Sequence, residues 1–301
     1  MIVMSILLLN KEKDMTSFAA LKEAQRDLGF KKAGHGGTLD PIATGLLPIF
    51  FEQSTKFLQY FNTETKEYIA EYIFGISSNT EDISGILTYE EKGNEPSEKE
   101  INIVLQSFLG EQLQIPPKFS AKKINGTPMY KLARKGKEFD RKAQRIKIFD
   151  ISLIDYDYPK FKIKVSCSKG TYMRTLGVDI GKSLKQSVSM CELQRTKFGH
   201  LSIEDCISLT ELKNLDKNQK MQYVRRVEEI LIDIPQVEIR SSEVKKFQNG
   251  CQLKAREIEK TGKHFIFNKQ ELLGLGLVDK NLCINPLKVL TKGEKKKNEL
   301  K

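Results

Sequence analysis

The sequence predicts an α+β (mixed α/β) fold: a mixed central sheet flanked by helices, followed by a small β-rich module. Two observations carry this prediction. Segments that alternate apolar and polar residues, such as residues 66–75, interleave with helical segments without a regular βαβ period. Beyond residue 232 the chain changes to short apolar runs separated by turns such as Asn249-Gly250.

Local signals predict the individual elements in chain order. Residues 2–9 are apolar and predict a buried strand, and Thr16 or Ser17 caps a helix that Gly29 ends. A glycine-rich loop follows, and a helical stretch is expected after it, through residue 60. Ser97 and Glu100 match a capping box at the start of a helix. The other expected elements are strands at residues 66–75, 145–156, 160–168 and 188–198, a polar turn at 79–85, and helices at 97–108, 171–184 and 213–226.

The organisation along the chain predicts one large domain and one small one. Residues 1–232 are expected to form the large domain and residues 233–290 the β-rich module, with the boundary near Asp233-Ile234-Pro235. Residues 291–301 are rich in lysine and are expected to be a disordered tail.

The charge balance favours an anionic partner. Of the 301 residues, 50 are Lys or Arg and 39 are Asp or Glu, which gives a formal net charge of +11. Such an excess is typical of proteins that bind nucleic acid, although a protein with many surface lysines would have the same composition. The absence of long acidic clusters in the sequence favours the first interpretation.

Cysteine and histidine usage excludes several classes of site. The sequence has five cysteines, an odd number, and they are scattered along the chain. We therefore expect neither a disulfide framework nor a Cys-x-x-Cys zinc site, and a reducing cytoplasm fits this pattern better. The three histidines are also scattered, so no metal is expected. The apolar start is too short to span a bilayer and lacks a basic n-region, so neither a membrane anchor nor a signal peptide is predicted. The cysteines are Cys167, Cys191, Cys206, Cys251 and Cys283.

The most informative segment is the loop over residues 34–45, which presents a single acid, Asp40. Glycines before Asp40 allow backbone conformations that bring the loop close to a ligand. Pro41 fixes its own φ and disfavours a helical conformation at Asp40. An Asp before a Pro can also simply make a turn. The apolar residues 46–51 favour a functional acid, because their burial would hold Asp40 at the lip of a pocket.

The loop also resembles the signature of bacterial tRNA pseudouridine synthases of the TruB family, which modify uridine 55 in the TΨC loop. Further matches run in order over roughly the first two hundred residues, and such an ordered set is far more specific than one glycine-rich loop. They are residues 7–11 with 15–17, residues 66–75, residues 116–123 with 126 and 130–136, residues 167–176, and residues 193–196.

The resemblance implies a reaction and a site. The family isomerises uridine in tRNA without a cofactor or metal, on a largely antiparallel catalytic sheet followed by a PUA-like RNA-binding module, and no obligate protein partner is implied. It implies that Asp40 is the nucleophile, that Tyr68 stacks on the base with its hydroxyl near the ring, and that Arg174 pairs with Asp40 and lowers its pKa. The substrate-binding residues implied are His35, Leu193, Lys11, Gly37, Thr38 and Lys122.

Each residue also has a simpler interpretation. Tyr68 on an alternating strand could be a core tyrosine, Leu193 a core leucine, and Arg174 an exposed cation in the first turn of a helix. The chain also departs from the family pattern, since Glu12 and Asp14 stand where the opening motif usually has Pro and Gly. This departure predicts a less rigid loop next to Asp40.

Two other functions compete with an RNA-modifying isomerase. A non-catalytic RNA chaperone could use the same basic surface, alone or as an additional activity. Phosphoryl transfer through an aspartyl loop is disfavoured, because the sequence has neither a second acidic cluster for Mg²⁺ nor a Gly-Lys-Ser/Thr loop.

Overall fold

The computed structural model describes residues 4–61, 65–90, 95–254, 258 and 260–290. The strands are β1 (Met4–Lys11), β2 (Ala33–His35), β3 (Ala43–Glu52), β4 (Thr65–Phe74), β5 (Ile76–Ser78), β6 (Leu87–Tyr89), β7 (Gly110–Gln114), β8 (Lys123–Ile124), β9 (Thr127–Pro128), β10 (Gln144–Asp157), β11 (Lys160–Ser168), β12 (Val188–Phe198), β13 (Leu201–Ser202), β14 (Ile207–Ser208), β15 (Val224–Arg226), β16 (Gln236–Glu238), β17 (Leu253–Lys254), β18 (Gly262–Asn268), β19 (Glu271–Val278) and β20 (Cys283–Val289). The helices are α1 (Ser17–Asp27), α2 (Glu98–Ser107), α3 (Met129–Arg134), α4 (Met173–Ser183), α5 (Leu209–Asn214), α6 (Lys217–Gln222), α7 (Val227–Ile230) and α8 (Val244–Gln248), with 3-10 turns at Gln53–Tyr60, Ile203–Asp205 and Ser241–Glu243.

A large mixed sheet forms the body of the protein. Within the described residues it has eleven strands, and its main path runs β14-β1-β3-β12-β4-β11-β10-β7. The pairs β1–β14 and β3–β12 are parallel and the others are antiparallel. The predicted fold class, a mixed and largely antiparallel sheet flanked by helices, is therefore confirmed.

The alternation at residues 66–75 produces β4 as predicted. Its even-numbered residues 68, 70, 72 and 74 are buried in the main core, while its odd-numbered residues are less buried. Because side chains of a strand point alternately to the two faces, Glu67 and Glu71 lie on the opposite face. There they pair with lysines of β11 and β12.

The helix ends follow their caps. The Thr16 side chain accepts a hydrogen bond from the Ala19 N–H, and α1 is followed by Gly29 at φ 73°. Ser97 and Glu100 form the capping box that begins α2. The strand pair β10–β11 and the exact span predicted for β12 are also confirmed.

Two predicted helical stretches are wrong. The segment after Asp40 is strand β3, and only Gln53–Tyr60 is helical, as a 3-10 helix. β3 lies between β1 and β12 and is buried on both faces, so it lacks the alternation that would have marked it as a strand. Residues 213–226 contain the end of α5, then α6, and finally strand β15, which pairs with β1.

A smaller five-stranded sheet, in the order β16-β18-β19-β20-β17, follows the large one. It packs against the 3-10 helix, where the Phe57 and Phe265 rings lie 5.8 Å apart. The predicted residues at the very start of the chain, Ile2 and Val3, and the predicted tail lie outside the described residues. None of the helices in the described part of the chain combines the length and the apolar character needed to cross a bilayer.

Candidate active site

The loop between β2 and β3 carries Asp40 and is fixed at both ends. The Gly36 N–H donates to the Pro48 carbonyl at 2.9 Å. The buried Ser17 hydroxyl accepts from the Leu39 N–H at 2.8 Å and donates to the Leu39 carbonyl at 2.9 Å. The residue immediately before the acid is thus bound through both of its backbone polar groups, which holds the acid in one position.

Lys11 supports the same loop from inside the protein. Its side chain is fully buried, and its ammonium donates to the carbonyls of Glu12, Met15 and Pro41 at 2.8, 2.7 and 3.3 Å. Burial lowers the pKa of Lys11 to about 8, against the opposing effects of Asp40 and Asp14. These contacts use all three donors within the protein. They support a role in shaping the loop, and the substrate contact expected of Lys11 stays a prediction.

Asp14 replaces the usual glycine without releasing the loop. It adopts the left-handed conformation at φ 62°, which glycine accepts most easily. Its N–H donates to the Pro41 carbonyl at 2.9 Å. The neighbouring departure, Glu12, accepts hydrogen bonds from the Thr210 N–H and hydroxyl. Glu12 and Asp14 therefore both hold the loop that contains them, although the sequence predicts that these two residues make it less rigid.

Arg174, in the first turn of α4, pairs with Asp40. The distance from its Nε to Asp40 Oδ2 is 2.9 Å. The arginine side chain is only 5% exposed, whereas the aspartate side chain is 37% exposed. The cation is thus enclosed, and the acid is the more exposed member of the pair.

The other donors of Arg174 tie together two more segments. Nη1 donates to the Thr80 carbonyl and Nη2 to the Phe119 carbonyl, each at 2.9 Å. The buried Asp82 carboxylate lies 3.7 Å from Nε. Its other oxygen accepts from the Thr80 hydroxyl at 2.8 Å. One guanidinium therefore joins the Asp40 loop to the turn at 79–85 and to the segment around Phe119.

The net effect on Asp40 differs from the prediction that Arg174 lowers its pKa. Burial is the largest influence and raises the pKa of Asp40 above the ordinary 3.8. The charge and hydrogen bond of Arg174 act in the predicted direction, and Asp82 acts against them. Arg174 therefore lowers the pKa of Asp40 as predicted, but desolvation of the carboxylate outweighs the arginine and the net shift is upward.

Tyr68 lies in the core of the sheet and faces the same centre. It is 7% exposed, and it stands opposite Arg195 in the antiparallel register of β4 and β12. Burial raises the pKa of the phenol, the adjacent Arg195 guanidinium lowers it, and Asp40 is near enough to raise it further. A buried aromatic ring beside a carboxylate can both stack on a base and offer a hydroxyl to it.

Arg195 joins Tyr68 to the Asp40 loop. It is fully buried, its Nε donates to the Leu46 carbonyl at 2.8 Å, and its Nη2 donates to the Gly37 carbonyl at 3.0 Å. The guanidinium carbon lies 4.9 Å from the centre of the Phe198 ring. A Cβ at Gly37 would lie 3.1 Å from that ring, so a larger residue would require the ring to move by a few tenths of an ångström.

The remaining predicted residues are placed less centrally. His35 lies on β2, and its buried Nδ1 has no hydrogen-bond partner among the described residues. Burial, and next the charge of Arg195, lower the pKa of His35. Leu193 is a core residue of β12, and Thr38 is exposed at the loop tip. Lys122 is exposed, and its ammonium donates to Gln144 at 3.1 Å.

Sequence reasoning missed two members of this arrangement. Asp82 was included only in a polar turn, and nothing in the local pattern indicates that the turn folds back onto Arg174. Arg195 is part of a matched segment to which no role was assigned, and the available signal is its place two residues after Leu193, on the same, buried face of β12. In the described chain no group of three or more His, Cys, Asp or Glu side chains could hold a metal ion.

The site thus brings together one acid held by an arginine and a buried tyrosine, and comparison with known proteins gives the family. Residues 25–173 match the family model described as TruB family pseudouridylate synthase (N terminal domain). The chain is 42% identical over 231 residues to "tRNA pseudouridine synthase B" of Francisella tularensis subsp. novicida, covering 76% of each chain. The protein of the same name from Francisella philomiragia is 41% identical over the same length. The chain belongs to the TruB family.

Solved structures agree on the fold. The chain superposes on a chain of "Structure of H/ACA RNP bound to a substrate RNA containing 2'-deoxyuridine" with a TM-score of 0.71 and 23% identity, covering 96% of this chain and 86% of the other. A chain of "Crystal Structure of a Cbf5-Nop10-Gar1 Complex" gives a TM-score of 0.69 and 25% identity, with 96% and 85% covered. The similarity extends over the small sheet as well as the large one.

Proposed function

We propose that this protein isomerises uridine to pseudouridine at position 55 in the TΨC loop of tRNA. The 42% identity to proteins named tRNA pseudouridine synthase B supports the reaction and the tRNA substrate. The observation that carries the assignment of the acid is the Asp40–Arg174 ion pair, in which the carboxylate is partly exposed and the cation is enclosed.

The reaction requires the target base to leave the RNA stack. Extrusion of a nucleotide costs a few kcal/mol, and stacking on an aromatic side chain returns about 1–3 kcal/mol per base. Tyr68 is the residue that we assign to this contact. His35, on the strand that leads into the loop, is assigned to the extruded nucleotide or its neighbours.

The chemistry then exchanges one bond for another at the same sugar. The C1′–N1 bond breaks, the base turns, the C1′–C5 bond forms, and the proton on C5 is replaced by one on N1. Asp40 acts as a carboxylate, either by forming a bond to the sugar or the base or by abstracting a proton. Breaking and forming these bonds involves no net oxidation or reduction, so the reaction needs no electron carrier.

We assign residues 1–232 to the catalytic domain and residues 233–290 to a PUA-like RNA-binding module. The separate five-stranded sheet supports the module, as does Lys263, whose ammonium lies 5.2 Å from the Tyr60 ring centre near the junction of the two sheets. A lysine over an aromatic ring offers both charge and a stacking surface to RNA. We also infer that the protein acts in the cytoplasm, where tRNA is its partner.

Tritium release from a TΨC stem-loop that carries [5-³H]uridine tests the reaction and the nucleophile together. Wild-type protein should release tritium without added cofactor, and Asp40→Asn should lower the single-turnover rate by at least about a thousandfold. Asp150→Asn removes an exposed carboxylate from β10 and is the matched control, which should keep the wild-type rate. Full turnover by Asp40→Asn would show that another group is the nucleophile.

Any tRNA-refolding activity should survive the same substitution, because chaperoning does not use the carboxylate.

A further inference from the structure

Lys66 is a cation of the site without an assigned role. It lies two residues before Tyr68 on β4, and so projects from the same face of the strand. Its ammonium lies 4.7 Å from the centre of the Phe198 ring, which stands directly opposite it on β12. The Arg195 guanidinium lies on the same ring, so two cations share one aromatic partner.

The charged groups around Lys66 are positive. Arg195 from β12 and Lys169 from the turn after β11 both lower the pKa of Lys66, and the Cys167 thiol of β11 is the other titratable neighbour. Burial is the largest influence and, together with these charges, lowers the pKa to about 8. Among the described residues, no carboxylate forms an ion pair with the Lys66 ammonium.

The opposite face of the same three strands is arranged differently. There, Glu67 and Glu71 neutralise the lysines, with Nζ–Oε distances between 2.8 and 3.7 Å. The contrast is informative because a partly buried cation without a counter-charge is costly. The paired lysines on that face are Lys160, Lys162, Lys164 and Lys197.

Hydrogen bonds link the residue after Lys169 to a second lysine, Lys122. Lys169 leads to Gly170, whose carbonyl accepts from the Gln144 amide at 2.6 Å. The same Gln144 side chain accepts from Lys122 at 3.1 Å. Hydrogen-bond donors and cations that follow one another in this way match the phosphates spaced along an RNA strand.

We propose that Lys66, with Lys169 beside it, binds a phosphodiester group of the substrate RNA next to the extruded nucleotide. The phosphate supplies the negative charge that this position lacks in the free protein, and the Phe198 ring holds the Lys66 ammonium in place. This inference rests on the proposed function, since it takes the ligand to be the RNA strand that enters the site.

Affinity for a fluorescently labelled TΨC stem-loop, measured by anisotropy at several KCl concentrations, tests the proposal. Lys66→Met should weaken binding about three- to tenfold at pH 7 and reduce the slope of log K against log [salt] by about 0.7–0.9, the values for one phosphate contact to a single strand and to a duplex. Lys164→Met removes a lysine from the opposite face of the sheet and is the matched control, expected to stay within twofold of wild type with an unchanged slope. Lys66→Gln replaces the methionine variant if the latter fails to fold, with the same expectations.

A charge-retaining variant adds a second readout. Lys66→Arg should restore affinity at pH 7, and its affinity should fall less than that of wild type between pH 7 and pH 9, because arginine keeps its proton there. Lys11, whose pKa is also about 8, is present in both proteins, so its titration affects both in the same way.

The phosphate site would be overturned if Lys66→Met and Lys164→Met had equal affinity, equal salt slope and equal pH dependence. The proposed function would survive that result as long as the wild-type protein converts the stem-loop. A wild-type protein that neither binds nor converts the stem-loop would instead overturn both.

Discussion

Arg174 and Asp40 are joined at 2.9 Å, with 5% of the arginine side chain exposed and 37% of the aspartate. This difference in exposure gives the two residues different roles. The enclosed arginine cannot reach a substrate, but it fixes the direction of the carboxylate and connects it to two other chain segments. The more open carboxylate is the member of the pair that can meet a nucleotide.

Arg174→Lys tests whether this connection depends on the shape of the guanidinium. A lysine ammonium cannot span Asp40, the Thr80 carbonyl and the Phe119 carbonyl with the geometry of the planar fork. We expect the single-turnover rate to fall about a hundredfold or more and the free energy of unfolding to fall by about 1–3 kcal/mol, the cost of leaving a buried carbonyl without its donor. Urea unfolding and tritium release measure the two effects. Arg225→Lys, at an exposed pair with Asp205, is the control and should leave both unchanged.

The pH dependence of the single-turnover rate should report the raised pKa of Asp40. Because burial raises this pKa, the carboxylate takes up its proton at a higher pH than an ordinary aspartate, and the rate should fall as pH falls through that value. Arg174→Met removes the largest opposing influence, so its acid limb should move to still higher pH. An acid limb at or below pH 3.8 in the wild-type protein would contradict the structure.

Stability should change with pH in a related way. A carboxyl group whose pKa is raised by folding binds its proton more tightly in the folded protein, so ionising it lowers stability above the folded pKa. Asp40→Asn removes this ionisation, so its urea midpoint relative to that of wild type should be higher at pH 7 than at low pH. The opposite trend would indicate that Arg174 lowers the pKa of Asp40 overall.

Asp14→Gly should stabilise the protein by up to about 1 kcal/mol, because glycine occupies the left-handed conformation at φ 62° without steric cost. Asp14→Ala separates this effect from the loss of charge, since alanine retains the backbone strain. It should be no more stable than wild type. Equal urea midpoints for the glycine and alanine variants would exclude backbone strain as the cause.

Arg195 and Tyr68 should prove coupled in a double-mutant cycle. Arg195 holds the Gly37 carbonyl and lies beside the phenol, so Arg195→Lys should slow the reaction in wild-type protein and slow it much less in a Tyr68→Phe background. We expect a coupling of about 0.5–3 kcal/mol, the range for residues in contact. Additive losses in the single-turnover rate would mean that Arg195 acts on the fold and not through Tyr68.

The parts of the site that depend on local sequence patterns were predictable from the sequence. The alternation of β4 placed Tyr68 on the buried face, and glycines with a following proline marked the loop of Asp40. β3 was assigned to a helix because burial on both faces removes the period of two. Asp82 and Arg195 reach the site through contacts between segments distant in sequence, which no local pattern contains. The domain boundary and the roles of the substrate-binding residues stay predictions.

The most direct test of the central claim is mass-spectrometric mapping of pseudouridine in total tRNA from cells that lack this protein, complemented with wild-type or Asp40→Asn protein. The account predicts that pseudouridine at position 55 is absent without the protein, returns with the wild type, and does not return with Asp40→Asn. Pseudouridine persisting at that position in the uncomplemented cells, or its full return with Asp40→Asn, would contradict the account.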